Sequence, residues 1–186
     1  YYPTQDEIDD GQTLRLVKTH GARTAVHHCD FSVFYEAELD ACRPFIEGLG
    51  IVPGSRVLDV GVWWGSFPAP AIIAADFGAQ VRAIDILPRS VAAAAQKVKG
   101  RYPEECARVA GRLSYECANL LSPADCPPDS AEYTFLFNVL DEDGRAADML
   151  ISRALDTTVN GGTIVISMIY PGDGPIERFE RVARAE

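Results

Sequence analysis

The residues Arg56-Val57-Leu58-Asp59-Val60-Gly61-Val62-Trp63-Trp64-Gly65 decide how this chain folds. Val57, Leu58 and Val60 form a short branched apolar run between turn residues, the pattern of a strand buried on both faces. The turn from Gly61 to Gly65 then feeds a helix. Ser66 suits its N-cap, and the helix is predicted to run to about Phe77 and close at Gly78. Pro68 and Pro70 are compatible with it, because the first four helical N–H groups have no partner inside the helix and proline removes nothing there.

Outward from this unit the same alternation continues. Val81 to Ile86 is predicted as a second strand, and Pro88 opens a helix through Ala92–Ala95 to about Lys99. Leu113 to Ala118 gives a third strand, and a proline-rich loop from Ser122 to Ser130 leads to an aromatic fourth one, Glu132 to Val139. Between Asp143 and Val159 the residues Ala147, Leu150, Ile151, Ala154 and Leu155 share one helical face. Asn160-Gly161-Gly162 is predicted to terminate that helix before a fifth strand, Thr163 to Ile169, and Pro175 to Glu186 reads as a charged last helix. On the N-terminal side, apolar spacing from Phe31 to Leu49 predicts a helix, kinked or split at Pro44 and ended by Gly50 and Pro53-Gly54. The first thirty residues, with Asp6, Glu7, Asp9 and Asp10, read as a polar, irregular, solvated arm.

Buried strands alternating with helices imply an α/β fold: a doubly wound, mostly parallel sheet with helices on both faces. The division expected is an arm and helical segment over residues 1–50 and a Rossmann-like domain over residues 51–186, together one compact unit. A fifth strand with nothing beyond it would be an adhesive edge. A partner protein or a continuation of the chain is expected to cover it.

Composition narrows the partners. The chain has 186 residues, 17 Lys+Arg against 27 Asp+Glu, and a net charge of −10. Such a surface repels phosphate backbones and anionic lipid, so free nucleic acid is disfavoured as the main partner. Lys97, Lys99 and Arg101 read as a solvated helix face. Cys29, Cys42, Cys106, Cys117 and Cys126 form no Cys-x-x-Cys pair and are odd in number, which fits neither a disulfide framework nor a zinc site. His27-His28 beside Cys29 has no second ligand cluster, so no metal is expected. No apolar run approaches the roughly 20 residues of a membrane span. The reading is an intracellular, reducing compartment: the cytosol, or an organelle if a targeting segment preceded Tyr1.

In open α/β sheets ligands bind beyond the carboxyl ends of the strands, where strand order reverses. A glycine-containing turn there lets backbone N–H groups approach a ligand, and Asp85, at the end of the second strand, can accept hydrogen bonds from a ribose diol. A dinucleotide dehydrogenase would need Gly-x-Gly-x-x-Gly, which Gly61 to Gly65 does not provide.

The ordered set Asp59-x-Gly61-x-x-x-Gly65, Asp85, Ala118-Asn119-Leu120, Asn138-Val139-Leu140-Asp141 and Asn160-Gly161-Gly162-Thr163 resembles the class I S-adenosylmethionine-dependent methyltransferases over about Gly54 to Met168. The resemblance implies S-adenosylmethionine as cofactor and methyl transfer to an unidentified acceptor. By it, Asp59 sits near the cofactor's amino-acid end and Gly61, Val62, Trp63 and Gly65 line it. Asp85 holds the ribose, Ile86 flanks the adenine, Asn119 offers it an acceptor oxygen beside Leu120, and Asn138 lies by the reacting methyl. The family's antiparallel hairpin after the fifth strand has no counterpart in the sequence.

One departure is Trp63, standing where the family has its middle glycine. Its indole either forms a pocket wall, or fills the pocket, or faces the sulfonium through cation–π attraction. The alternative function is therefore a catalytically inactive methyltransferase-like domain that serves as a structural or assembly factor in a protein or ribonucleoprotein complex. No catalytic residue is nominated; Asp141, Glu142 and Tyr170 read as loop or cap residues.

Overall fold

The computed structural model describes residues 12–17, 27–30, 39–62, 68–137, 139 and 145–168. In chain order the elements are β1 (Gln12–Val17), β2 (His27–Asp30), α1 (Leu39–Gly48), β3 (Arg56–Val60), α2 (Ala69–Asp76), β4 (Gln80–Asp85), α3 (Pro88–Arg101), α4 (Pro103–Arg108), β5 (Leu113–Cys117), β6 (Ala131–Phe137), α5 (Arg145–Thr157) and β7 (Thr158–Met168). The predicted α/β class and its five core strands are present. The acidic residues at 6–10, the helical spacing of Phe31 to Tyr35, Ser66 and the charged segment after Pro175 lie outside the described residues.

The sheet order is β2-β1-β7-β6-β3-β4-β5. From β3 the chain winds one way through β4 to β5, returns to lay β6 on the other flank of β3, and adds β7; these five strands are parallel. Strand order thus reverses beside β3, and the ends of β3, β4 and β5 are where a ligand site is expected on such a sheet.

Each sheet face has its own core. Leu58, Val60, Ile84, Leu136, Ile164 and Ile166 meet Ala147, Ile151 and Ala154 of α5. On the opposite face Val57, Val81, Phe135, Phe137 and Val165 meet α1 and α2. Helix α2 is buried from Ala69 to Ala75, as a helix apolar all round must be, and its alanines bring it close to the strands. Pro70 stands in its first turn. Asp76 at the far end of α2 joins Arg43 of α1 and Arg108 of α4 at 3.1 and 2.7 Å.

Three sequence expectations are corrected. Residues 12–17 and 27–30 are strands, not irregular arm: β1 pairs antiparallel with β7 from Gln12↔Met168 to Val17↔Thr163, and β2 pairs antiparallel with β1. The edge of β7 predicted to need a partner protein or later residues is therefore paired by the chain's own N-terminal segment. Asn160-Gly161-Gly162 does not end a helix; it lies within β7. Between the pairs Ala131↔Thr158 and Tyr133↔Thr163, β7 carries Val159, Asn160, Gly161 and Gly162 opposite Glu132 alone. Gly161 takes φ +83°, and a Cβ on Gly162 would stand 2.7 Å from the Glu132 carbonyl oxygen, so the bulge requires both glycines. Helix α4 has no counterpart among the elements expected from the sequence; Pro103 at its start and Glu104 and Glu105 in its first turn are its signals.

Candidate functional site

At the top of β3 the chain leaves the sheet through Gly61, whose N–H donates to the Ile84 carbonyl at 2.8 Å; the N–H of Val62 donates to the same oxygen at 3.3 Å. Both bonds hold the turn against β4. Gly61 has φ +79°, and a Cβ there would meet Val139 Cγ1 at 1.8 Å. Glycine is thus required twice, by conformation and by space.

The neighbouring strand ends carry the polar groups. Asp85 closes β4, and its Oδ1 accepts the Leu87 N–H at 2.9 Å. Ala118, just past β5, donates its N–H to the Asp85 carbonyl at 3.0 Å, which keeps the two strand ends in register. Asn119 repeats the device: its Oδ1 accepts the Leu121 N–H at 3.0 Å, while its own N–H donates to Asp125 Oδ2 at 3.0 Å. The Asn119 oxygen thus holds the following turn with one lone pair, and its second lone pair and the amide NH₂ carry no hydrogen bond among the described residues.

These residues border an open cleft of about 390 Å³. Val60, Ile84, Leu120, Val139 and Leu150 make its apolar surface; Gly61, Asp85 and Asn119 contribute polar atoms. Ile86 is 64% exposed on its lip, beside the exposed Leu87. The cleft thus gathers Gly61, Asp85, Ile86, Asn119 and Leu120 of the predicted site. Trp63, Gly65 and Asn138 lie outside the described residues.

Asp59 and Val62 border a separate void of about 10 Å³, shared with Gly61, Tyr115 and Phe137, roughly the minimum that admits one water. Register explains the grouping. Asp59 pairs with Ala83, and Ala83 with Tyr115, so the three lie in one row and Tyr115 extends over the small Ala83 toward Asp59. Asp59 is 5% exposed, and burial pushes its carboxyl up to about 8. Burial, with the neighbouring Asp59 and Cys106, also raises the Tyr115 phenol. The Tyr115 hydroxyl has no hydrogen-bond partner among the described residues. A Tyr115→Phe variant is accordingly expected to be as stable as the parent or about 1 kcal/mol more stable, read by urea denaturation; a loss above that would show a bond to the hydroxyl.

The loop bearing Asn119 and Leu120 is clamped from below by Arg153 of α5. Its Nε donates to the Leu120 carbonyl at 3.2 Å, one terminal nitrogen to the Cys126 carbonyl, and the other to Asp156 at 3.0 Å. Truncating Arg153 to Ala orphans two buried carbonyls, so a loss of roughly 2 kcal/mol is expected in urea denaturation. An unchanged midpoint would show that the loop holds itself.

No protein-family model matches the sequence, and no curated protein is similar enough to count as a relative. Solved structures do match. Phosphoethanolamine N-methyltransferase 2 of Haemonchus contortus, in complex with phosphomonomethylethanolamine and S-adenosylhomocysteine, superposes with a TM-score of 0.55 at 20% identity over 76% of this chain and 36% of its own. A protein of Methanococcus maripaludis, proposed to be an S-adenosyl-L-methionine-dependent methyltransferase, gives 0.52 at 14% identity over 83% and 64%. The 4+2 cyclase SpnF gives 0.51 at 22% identity over 70% and 48%. The fold is that of the class I methyltransferases. The chain spans about half the length of the cyclase and a smaller share of the nematode enzyme.

On this methyltransferase fold, sequence reasoning missed Leu150 as a cleft residue and named Val139 only as part of the segment Asn138-Val139-Leu140-Asp141, with no contact assigned to it. Leu150 belongs to the apolar face of α5, and spacing alone does not separate a residue facing the core from one facing a cavity above it. Val139 carried a faint signal, being the first apolar residue past β6.

Proposed function

We propose that this domain binds S-adenosylmethionine in the cleft above β3, β4 and β5 and directs methyl transfer to an acceptor. The observation that carries the reading is the cleft's chemistry: an apolar slot at the strand-order reversal, with a carboxylate at the end of one strand and an amide at the end of the next. A nucleoside is complementary to that set, with a flat apolar base, a diol at one end and a polar edge at the other. The fold alone would not decide it, since a 4+2 cyclase shares it.

When bound, the cofactor supplies an electrophilic methyl group on its sulfonium. The chain's own part is to orient. Asp85 Oδ2 accepts from the ribose hydroxyls, Ile86 and Leu87 cover the base from the lip, and Val139 and Leu150 close the apolar side and exclude water. Gly61, pinned to Ile84, keeps the backbone low enough for the amino-acid end to pass. Fixed alignment of donor and acceptor removes much of the entropic part of the barrier. Cys42, Cys106, Cys117 and Cys126 form no disulfide among the described residues; no helix among the described residues is long and apolar enough to cross a membrane.

Calorimetric titration with S-adenosylhomocysteine tests the reading. Binding is expected, and Asp85→Ala is expected to weaken it about tenfold to a hundredfold, the worth of hydrogen bonds to a charged acceptor. No heat and no thermal shift at millimolar ligand would end it. A second reading, a domain that has kept the fold and lost the cofactor, draws on Trp63 in the place of the family's glycine. Cofactor binding gained in Trp63→Gly and missing in the native protein would favour that reading.

A further inference from the structure

Two residues that border the cleft, Leu150 and Leu120, depend on one helix. Leu150 belongs to α5 itself, while Leu120 reaches the cleft from the segment 119–126 beyond β5. Bonds inside that segment fix its shape: the Asp125 and Cys126 N–H groups donate to the Ser122 carbonyl, that of Ser122 to the Asn119 carbonyl, and that of Asn119 to Asp125 Oδ2. None of them fixes where the segment sits on the rest of the chain. Among the described residues, two arginines donate the hydrogen bonds that seat it. Arg82 of β4, partly exposed, reaches the Asp125 carbonyl at 3.3 Å. Arg153 of α5 donates to the Leu120 carbonyl at 3.2 Å and to the Cys126 carbonyl, near the two ends of the segment.

Arg153 is 9% exposed, a costly place for a cation, and the carboxylate it meets, on Asp156, is half exposed. Apolar packing of Leu120, Cys126 and Ile151 brings segment and helix together, but it is non-directional. A planar fork that donates to two carbonyls at once fixes both distance and angle. Arg153 follows Leu150 by three residues, so the two share a side of α5 about 4.5 Å apart along its axis. Helix, guanidinium and segment thus form one bracket whose ends are Leu150 and Leu120. We propose that Arg153 is a positioning residue: without lining the cleft, it sets the spacing of Leu120 and Leu150 and through it the affinity for the ligand. The inference rests on the adenosyl reading above and adds to it a residue outside the cleft. Coupling is reciprocal, so a ligand seated against the two leucines tightens the bracket below.

Calorimetric titration of the full chain with S-adenosylhomocysteine separates position from stability. An unfolded fraction lowers the number of sites, whereas a misplaced wall lowers the affinity of each. Arg153→Lys keeps the charge and the apolar stem but cannot serve two carbonyls with one planar fork. It is expected to bind about tenfold more weakly with the number of sites unchanged. Thr158→Val is the control. It removes the buried bonds of Thr158 to Thr134 and to the Ala154 carbonyl, past the far end of α5, and is expected to melt lower yet bind within about twofold of the native protein. An Arg153→Lys protein that behaves like this control overturns the proposal while leaving adenosyl binding intact. Amide exchange on the native protein supplies a test that needs no variant. The ligand is expected to slow the last turn of α5, Arg153 to Thr157, by a larger factor than α1, which packs on the opposite face of the sheet; equal slowing of the two also overturns it. Failure of the native protein to bind S-adenosylhomocysteine removes the adenosyl reading and this inference with it.

Discussion

A Gly61→Ala variant is expected to lose roughly 2–4 kcal/mol of stability and to bind S-adenosylhomocysteine at least about tenfold more weakly than the native protein. Two costs meet at this residue. The backbone sits at φ +79°, a region where an L side chain costs about 1–2 kcal/mol. The added methyl would also overlap Val139 Cγ1 at 1.8 Å, far inside the roughly 3.5–4.0 Å of an ordinary carbon contact. Relief requires either Val139 to move, and Val139 walls the cleft, or the turn to lift off β4 and break the bonds from Gly61 and Val62 to the Ile84 carbonyl. Both routes reshape the same wall, so affinity and stability fall together. The double variant Gly61→Ala/Val139→Ala separates the causes. It removes Cγ1, so the steric part is recovered, and the conformational part of about 1–2 kcal/mol stays. A single variant that unfolds at the native urea midpoint would mean that the turn tolerates a side chain and that its glycine is incidental.

How much of this was legible beforehand depends on where the information lies. The parallel strands β3, β4, β6 and β7 were visible as apolar runs, branched or aromatic, that burial imposes locally, and the half-exposed edge strand β5, Leu113-Ser114-Tyr115-Glu116-Cys117, by its place in the alternation. Strand β1 has a weaker signature, Thr13-Leu14-Arg15-Leu16-Val17, and β2, His27-His28-Cys29-Asp30, has none. Their strand character comes from the open edge of β7, which no window of sequence around residue 15 or 28 can reveal. The bulge in β7 misled for a related reason. Asn160-Gly161-Gly162 has the composition of a helix stop, and only the pairing with β6 shows that the chain stays in the sheet. At the site, Asp85 and Asn119 were legible by position, since Asp85 ends β4 and Asn119 lies two residues past β5. What their atoms do was not: the self-capping of Oδ1 in both residues depends on backbone geometry two positions ahead. Tyr115 was not singled out at all, because its meeting with Asp59 passes over Ala83 on the strand between them.

Asp59 leads to the second large effect. Its carboxyl is buried, held at about 8, and forms no hydrogen bond among the described residues. The folded protein therefore keeps a proton that the unfolded chain, with an ordinary aspartate near 3.9, gives up. A raised acid favours folding fully below its unfolded value, and that contribution drains away as pH rises toward the folded one. Asp59 is thus expected to cost on the order of 1.4 kcal/mol for each pH unit across the window from about 4 to 8. Asp76, Glu116 and Glu132 act in the opposite sense. Burial pushes Asp76 up, but hydrogen bonds from Arg108 and Arg43 outweigh it; Arg82 lowers Glu116 and Arg56 lowers Glu132. Their stabilisation is complete above the unfolded carboxylate range and is lost only in acid, so the two windows scarcely overlap. An Asp59→Asn variant keeps the shape and removes the proton. The difference in stability between variant and native protein, from urea denaturation at pH 4.5, 6, 7.5 and 9, is expected to grow in the variant's favour up to about pH 8 and then level off. Differences that stay constant from pH 4.5 to 9 would mean the carboxyl is charged in the folded protein, with a compensating cation or solvent path in the void it shares with Tyr115 and Gly61. The plateau above pH 8 is the sharper diagnostic. A general effect of surface charge would keep changing there, whereas a single buried acid has no more protons to lose.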